Sequence, residues 1–228
     1  MPSRRRPGAP ADLEEVRPDH FVVHNPAAAP ILRGEGTREG DRFQLTSWRR
    51  DGLIARLRAR GFVVLTLADQ IAALPALPAA PAAGTPLVRA LAPGERISYF
   101  AAEPPGWQPA PTVPPGSVQL HEGWIIRRRR GRGPASYSRV SSGSLAPLDE
   151  AAALRLGYAG LADQGGASIV ATPAADQGWL LPDLPLPPEH RRLLGRLATR
   201  TAAGWHIPAG ATPLAGALLA RLGLRLRT

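Results

Sequence analysis

The densest group of charged side chains in the sequence is a run of four arginines, Arg127 to Arg130, followed two positions further on by Arg132. Guanidinium groups bind phosphate oxygens through paired N–H donors, so such a run is typical of polyanion-binding surfaces. Side chains alternate between the faces of a strand, and burying an unpaired guanidinium is costly. We therefore predict that the strand leaves the core near Ile126 and that the tip at 127–133 projects into solvent.

Two aromatic residues flank this arginine run. Trp124 and Tyr137 lie on the predicted strands Val118–Ile126 and Ser136–Val140, which a Gly-rich turn joins into a hairpin. Aromatic rings beside cationic side chains stack on nucleic-acid bases. The sequence therefore predicts that both rings contact nucleic acid together with the arginines.

A second basic segment is the helix predicted over residues 188–200. Arg192, Arg196 and Arg200 recur every four residues, which places them in one stripe of a helix. Leucines form another stripe: Leu193, Leu194 and Leu197. The pattern predicts an amphipathic helix with a phosphate-contacting outer face.

The net charge of +10 is concentrated in two segments. Residues 117–145 carry +5 and residues 188–228 carry +6, whereas the rest of the chain sums to −1. The absence of Lys among 28 basic residues indicates a GC-rich, bacterial genome, but such a bias does not by itself cluster charge. The clustering favours a nucleic-acid partner.

Several kinds of chemistry are excluded by composition. Without Cys or Lys, the chain has no thiolate metal site, Cys nucleophile, Schiff-base lysine or phosphate-loop lysine. His20 and His24 flank an apolar strand, where four residues span roughly 13 Å, too far to share one ion. We expect no catalytic residue, no metal and no cofactor.

One acidic cluster leaves an enzymatic alternative open. Glu35, Glu39 and Asp41 lie in a Gly-rich loop and, with Asp19, have the oxygen ligands that Mg²⁺ prefers. A metal-dependent nuclease is therefore a third hypothesis for the function.

The elements that position these residues fall into four segments. Residues 1–18 are predicted to be a disordered basic arm, and residues 75–86 a Pro/Ala linker. Between them, residues 19–74 alternate strand, helix, strand and helix. This module is either a small α/β unit or, with a third helix at 85–92, a winged-helix-like unit. Residues 87–228 are predicted to contain the central β-hairpin and a helical C-terminal part.

The sequence thus predicts a mixed α+β fold and a non-enzymatic nucleic-acid-binding protein. DNA and RNA remain equally open as ligands. The alternative is a Pro- and Arg-rich interaction subunit of a larger protein or ribonucleoprotein assembly. No run of roughly 18 apolar residues is present, and the N-terminus lacks a secretory signal, so we expect a cytoplasmic protein that does not bind membranes.

Overall fold

The computed structural model describes residues 11–45, 49–80, 84–101 and 106–228. Helices and mostly antiparallel sheets are mixed along these residues, which confirms the predicted α+β class. Buried apolar side chains in the described residues form an N-terminal core, a central core and a C-terminal core.

The N-terminal unit combines a five-stranded sheet with two helices. Its elements are β1 (Leu13–Arg17), β2 (His20–Val23), α1 (Ala29–Leu32), β3 (Gly36–Glu39), β4 (Arg42–Leu45), α2 (Arg50–Ala59) and β5 (Val64–Leu65). The strand order is β3-β4-β2-β1-β5, and only the β1–β5 pair is parallel. Leu53, Ile54 and Leu57 give α2 its buried face, and Gly61, at φ +86°, follows the end of the helix.

The prediction of a disordered arm over residues 1–18 is wrong for its last part, because Leu13–Arg17 form β1. Leu13 is buried in the N-terminal core. The carboxylate of Glu15 is also buried, and it accepts hydrogen bonds from Arg50 and from the backbone N–H of Leu67. The strand therefore accommodates the polar residue Glu15 in its buried face because the carboxylate is hydrogen-bonded. Residues 1–10 lie outside the described residues.

Helix α3 (Leu67–Ala72) follows β5 and begins with a capping box formed by Thr66 and Asp69. Sequence reasoning placed this helix in the N-terminal module. Its buried residues Leu67 and Ile71 belong instead to the C-terminal core. An amphipathic helix packs where its apolar face is buried, so its position in the sequence does not determine to which core it belongs.

The central region is a β-structure. Its strands are β6 (Pro86–Ala90), β7 (Glu95–Ala101), β8 (Gly106–Pro109), β9 (Ser117–His121), β10 (Ile125–Arg130), β11 (Ser136–Ser141) and β12 (Ser144–Leu148). Five of them form a sheet in the order β12-β11-β10-β7-β8, and β6 pairs with β9. The predicted third helix at 85–92 is therefore wrong. In β6, Leu87 packs on the central core while Val88 is exposed, which is the alternation of a strand.

The C-terminal unit begins after α4 (Glu150–Asp163), which packs against the central sheet. Its elements are β13 (Ala167–Val170), β14 (Thr172–Pro173), β15 (Trp179–Leu181), α5 (Pro188–Leu197), β16 (Thr199–Thr201), β17 (Gly204–Ile207), α6 (Thr212–Ala220) and β18 (Leu224–Arg227). Helices α3, α5 and α6 contribute to its core.

The N-terminal and C-terminal units share one topology. The order β16-β17-β15-β14 matches β3-β4-β2-β1, and β13 pairs with β18 in parallel as β1 does with β5. In both units a helix precedes the outer hairpin, and a second helix leads to the last strand through a glycine at positive φ, Gly61 or Gly223.

Candidate nucleic-acid interface

The arginine run occupies a central strand. Arg127 to Arg130 lie on β10, which pairs with β11 on one side and with β7 on the other. The predicted projecting finger is therefore wrong, because backbone hydrogen bonds hold the strand in the sheet at least as far as the β7 register of Arg130. Arg132 alone of the predicted group lies in the exposed turn that follows.

Strand alternation divides the run between two faces. Arg128 and Arg130 share one face, and the guanidinium of the half-buried Arg128 donates to Ser138 Oγ at 3.3 Å. Arg127 and Arg129 share the opposite face, where Arg96 stands directly across from Arg129 on β7. The sheet tolerates arginine on both faces because neither pair is fully buried.

The face that carries Arg127 opens into a groove against the C-terminal unit. This groove encloses about 770 Å³. Its polar and aromatic lining comes from both regions of the chain: Trp107, Arg127, Asp183, Arg191, Arg200 and Trp205.

A second depression extends the groove along the sheet. It encloses about 450 Å³ and shares Trp107 and Arg127 with the first, while adding Arg96 and Arg129. We call the combined surface the basic groove. It is defined by five arginines and two tryptophans: Arg96, Arg127, Arg129, Arg191, Arg200, Trp107 and Trp205.

Carboxylates neutralise little of this surface. Asp183 accepts two hydrogen bonds from Arg200, at 2.6 and 2.7 Å, and this pairing holds the pKa of Asp183 below its ordinary value. Glu95, at the far end, is paired with Arg89. Among the described residues, none of the other four arginines of the basic groove forms an ion pair with a carboxylate within 4 Å, although Arg191 is near enough to Asp183 to lower the pKa of that carboxyl further.

Tyr137 lies across from Arg127 on β11, and its ring and hydroxyl are engaged by neighbouring residues. Its ring packs 5.7 Å from that of Trp107, and its hydroxyl donates to Glu150 at 3.1 Å. Burial and the Glu150 carboxylate raise the pKa of Tyr137, while the nearby Arg127 and Arg191 oppose that increase.

Trp124 is not brought together with Tyr137. Its ring stacks on Tyr99 at 4.7 Å between centroids and packs on His121 at the central core. The predicted strand Val118–Ile126 is wrong in that Trp124 lies between β9 and β10, and the expected contact of Trp124 with nucleic acid beside the arginines stays a prediction.

The amphipathic helix predicted over residues 188–200 is present as α5 with Leu193, Leu194 and Leu197 buried, but the predicted arginine stripe is wrong at Arg200. The helix ends at Leu197, since Ala198 is extended, and Arg200 lies on β16 with its guanidinium 5.0 Å from the ring centroid of Trp205. Arg196 points to the N-terminal region, where it binds Glu14 at 2.8 Å and Gln70 at 2.5 Å. Arg192 is exposed and does not line the basic groove.

Sequence reasoning missed four residues of the basic groove: Arg96, Trp107, Arg191 and Trp205. Trp107 lies in a Pro-rich segment without strand periodicity, and Arg96 is paired with β10 across a long sequence separation. Arg191 has a local signal in the sequence, because it is a charged residue of the predicted helix that lies next to Arg192 but outside the stripe of Arg192 and Arg196.

The acidic loop forms no cation site. Glu35 is paired with Arg56 and approaches Arg49, whereas Asp19 lies 3.4 Å from Arg50. Among the residues that the structure describes, no three His, Asp or Glu side chains are placed to hold a metal ion. The nuclease hypothesis thus has no metal centre in this part of the chain. In the same residues, no helix is both long and apolar enough to cross a membrane.

Comparison with models of known protein families, with curated proteins and with solved structures finds no match to the chain.

Proposed function

We propose that the protein binds single-stranded nucleic acid in the basic groove without acting as an enzyme. The observation that carries this proposal is the combination of five arginines with Trp107 and Trp205 along one continuous surface. Arginines neutralise the phosphates of a strand, and an accessible aromatic ring between them accepts a stacked base. DNA and RNA remain open as ligands, and a location in the bacterial cytoplasm remains a prediction.

The groove residues have distinct roles in this proposal. Arg96, Arg127, Arg129 and Arg191 bind phosphates, since none is paired with a carboxylate in the described residues. Trp107 is half-buried and lines the groove together with Arg127 and residues of the C-terminal unit, so it is the ring on which a base stacks. Trp205 is buried beneath Arg200 and shapes the floor.

Two double variants test the proposal with the same change of charge. Arg127→Ala with Arg191→Ala removes two groove arginines, whereas Arg132→Ala with Arg192→Ala removes their exposed neighbours. Each charge-assisted contact is worth roughly 1.5 kcal/mol, so the loss of two contacts should weaken binding by the groove variant about a hundredfold. Its salt slope should fall by about 1.4, at about 0.7 for each phosphate of a single strand.

Fluorescence anisotropy with single- and double-stranded DNA and RNA, at several salt concentrations, measures both quantities. Equal losses in the two variants would show that binding follows total charge and would contradict a groove site. Absence of binding to all four polymers would instead favour the alternative, in which the chain is an interaction subunit of a larger assembly.

A further inference from the structure

The shared topology of the two units extends to individual positions. Residues 26–65 and 188–227 correspond without a gap, at a constant separation of 162 positions, as Thr37 and Thr199 illustrate. Both segments start with a proline that opens a helical turn. Identical residues recur at several equivalent places: Pro26 and Pro188, Leu32 and Leu194, Thr37 and Thr199, Arg38 and Arg200, Leu57 and Leu219, Gly61 and Gly223.

The hairpin arginines are among these equivalent residues. Arg200 stands opposite Trp205 across the β16–β17 pair, and Arg38 stands opposite Phe43 across the β3–β4 pair. In each unit an arginine therefore lies beside an aromatic ring, on the hairpin that follows the first helix.

The N-terminal unit also has a groove at this place. It encloses about 160 Å³, and its lining includes Val23, Ala29, Arg38 and Phe43. Phe21 faces Phe43 and Leu181 faces Trp205, so Val23, two residues after Phe21, corresponds to Asp183. With the separation of 162 for the other three residues, the counterparts line the basic groove in the C-terminal unit: Asp183, Arg191, Arg200 and Trp205. The same four backbone positions thus form a groove twice in one chain.

Charge makes the N-terminal groove receptive to an anion. Val23 occupies the position of Asp183, so Arg38 lacks the carboxylate that holds Arg200. The Nε of Arg38 donates to the carbonyl of Gly40 at 2.8 Å, and its terminal N–H groups bind no carboxylate in the described residues. Arg33 lines the same groove and is exposed.

We propose that the N-terminal groove is a second phosphate-binding site for a nucleic-acid strand, with Arg33 and Arg38 as its phosphate ligands. This inference rests on the proposed function, because the ligand class is taken from the basic groove. Phe43 is buried, so this site binds mainly through phosphates, with little base stacking.

The test is to count bound oligonucleotides. Single-strand sites span roughly 4–16 nucleotides, so an oligodeoxythymidine of about six nucleotides can occupy each groove separately. Native mass spectrometry of the full chain should show two such oligomers bound. Arg33→Ala with Arg38→Ala should leave one, and Arg127→Ala with Arg191→Ala should also leave one.

Arg42→Ala with Arg60→Ala is the matched control, since both arginines are exposed in the N-terminal unit and do not line its groove. It should retain two oligomers. Each variant is compared with the wild type only if the two have the same thermal unfolding midpoint, which shows that the variant is folded.

The outcomes separate the two proposals. A single oligomer on the wild type, lost from the Arg127/Arg191 variant and kept by the Arg33/Arg38 variant, would overturn the second site and leave the basic groove intact. A single oligomer with the opposite sensitivity would support the N-terminal site and contradict the basic groove. No bound oligomer on any variant would overturn both.

Discussion

The two repeated units keep the same backbone but bury different side chains at equivalent positions. The pairings of Leu13 with Val64 and of Ile169 with Leu226 align Glu15 of β1 with Ala171. Likewise, His190 of α5 corresponds to Ala28. All four residues are buried. The topology therefore tolerates a carboxylate or an imidazole wherever the surroundings either pair it or keep it neutral.

The grooves differ in the same way. The C-terminal unit has an arginine already held by Asp183, whereas the N-terminal unit has Val23 in that position. The two units have in common the residues that form turns, such as Gly61 and Gly223, whereas the side chains that line the two grooves differ. Substitutions at four positions probe this comparison: Glu15, His190, Asp183 and Val23.

The largest effect is expected at Glu15, which has no polar counterpart in the C-terminal unit. Glu15→Ala should lower the free energy of unfolding by about 3–5 kcal/mol, because it leaves the guanidinium of Arg50 and the N–H of Leu67 without their buried acceptor. Urea denaturation measures this loss. Glu15→Gln keeps an acceptor and should lose less. A loss below about 1 kcal/mol for Glu15→Ala would mean that the network contributes little.

A smaller effect, dependent on pH, is expected at His190. Burial lowers the pKa of His190 to about 4, from an ordinary value of 6.5, and neither ring nitrogen has a hydrogen-bond partner among the described residues. The unfolded chain takes up the proton first as the pH falls. Stability should therefore decline below about pH 6.5, with a loss from this residue of about 2 kcal/mol at pH 5.

Urea denaturation at about pH 8 and pH 5 tests this expectation. His190→Leu removes the titrating group, so the variant should lose less stability than the wild type between the two conditions. An identical loss in both proteins would show that His190 takes no part in the pH dependence.

The smallest effect is expected from exchanging the groove residues that differ between the units. Asp183→Asn should free Arg200 and tighten binding of a single strand roughly threefold, with a salt slope steeper by about 0.7. Val23→Asp should give Arg38 a carboxylate partner and weaken binding at the N-terminal groove by a similar factor. Anisotropy titrations measure both. Changes in the same direction would refute the equivalence of the two positions.

Local signals in the sequence were sufficient for part of the fold. The spacing of Leu53, Ile54 and Leu57 before Gly61 is helical and indicates α2, and the Gly-rich turn after the arginine run indicates the pairing of β10 with β11. Both features depend on residues close together in the chain, where periodicity and turn chemistry act directly.

The site depended on contacts that local signals do not contain. The position of β10 inside the sheet is decided by β7, about 30 residues earlier, and the basic groove forms only where that sheet meets β16 and β17. The repeat has only a weak signal in the sequence for a related reason. Its units share a pattern of turns and buried positions but few identical residues, and Glu15 hid the strand that aligns with β13 and β14.

Helix α3 has a consequence for the order in which the chain folds. During synthesis, Leu67 and Ile71 leave the ribosome before the central strands and well before α5 and α6, which cover them in the native structure. Their apolar face therefore stays exposed until almost the whole chain has emerged, the interval in which a nascent chain is most prone to aggregate. The N-terminal repeat has a core made only of its own residues, so it can fold as it is made. The core of the C-terminal repeat includes α3 and is completed only after α5 and α6 have been synthesised.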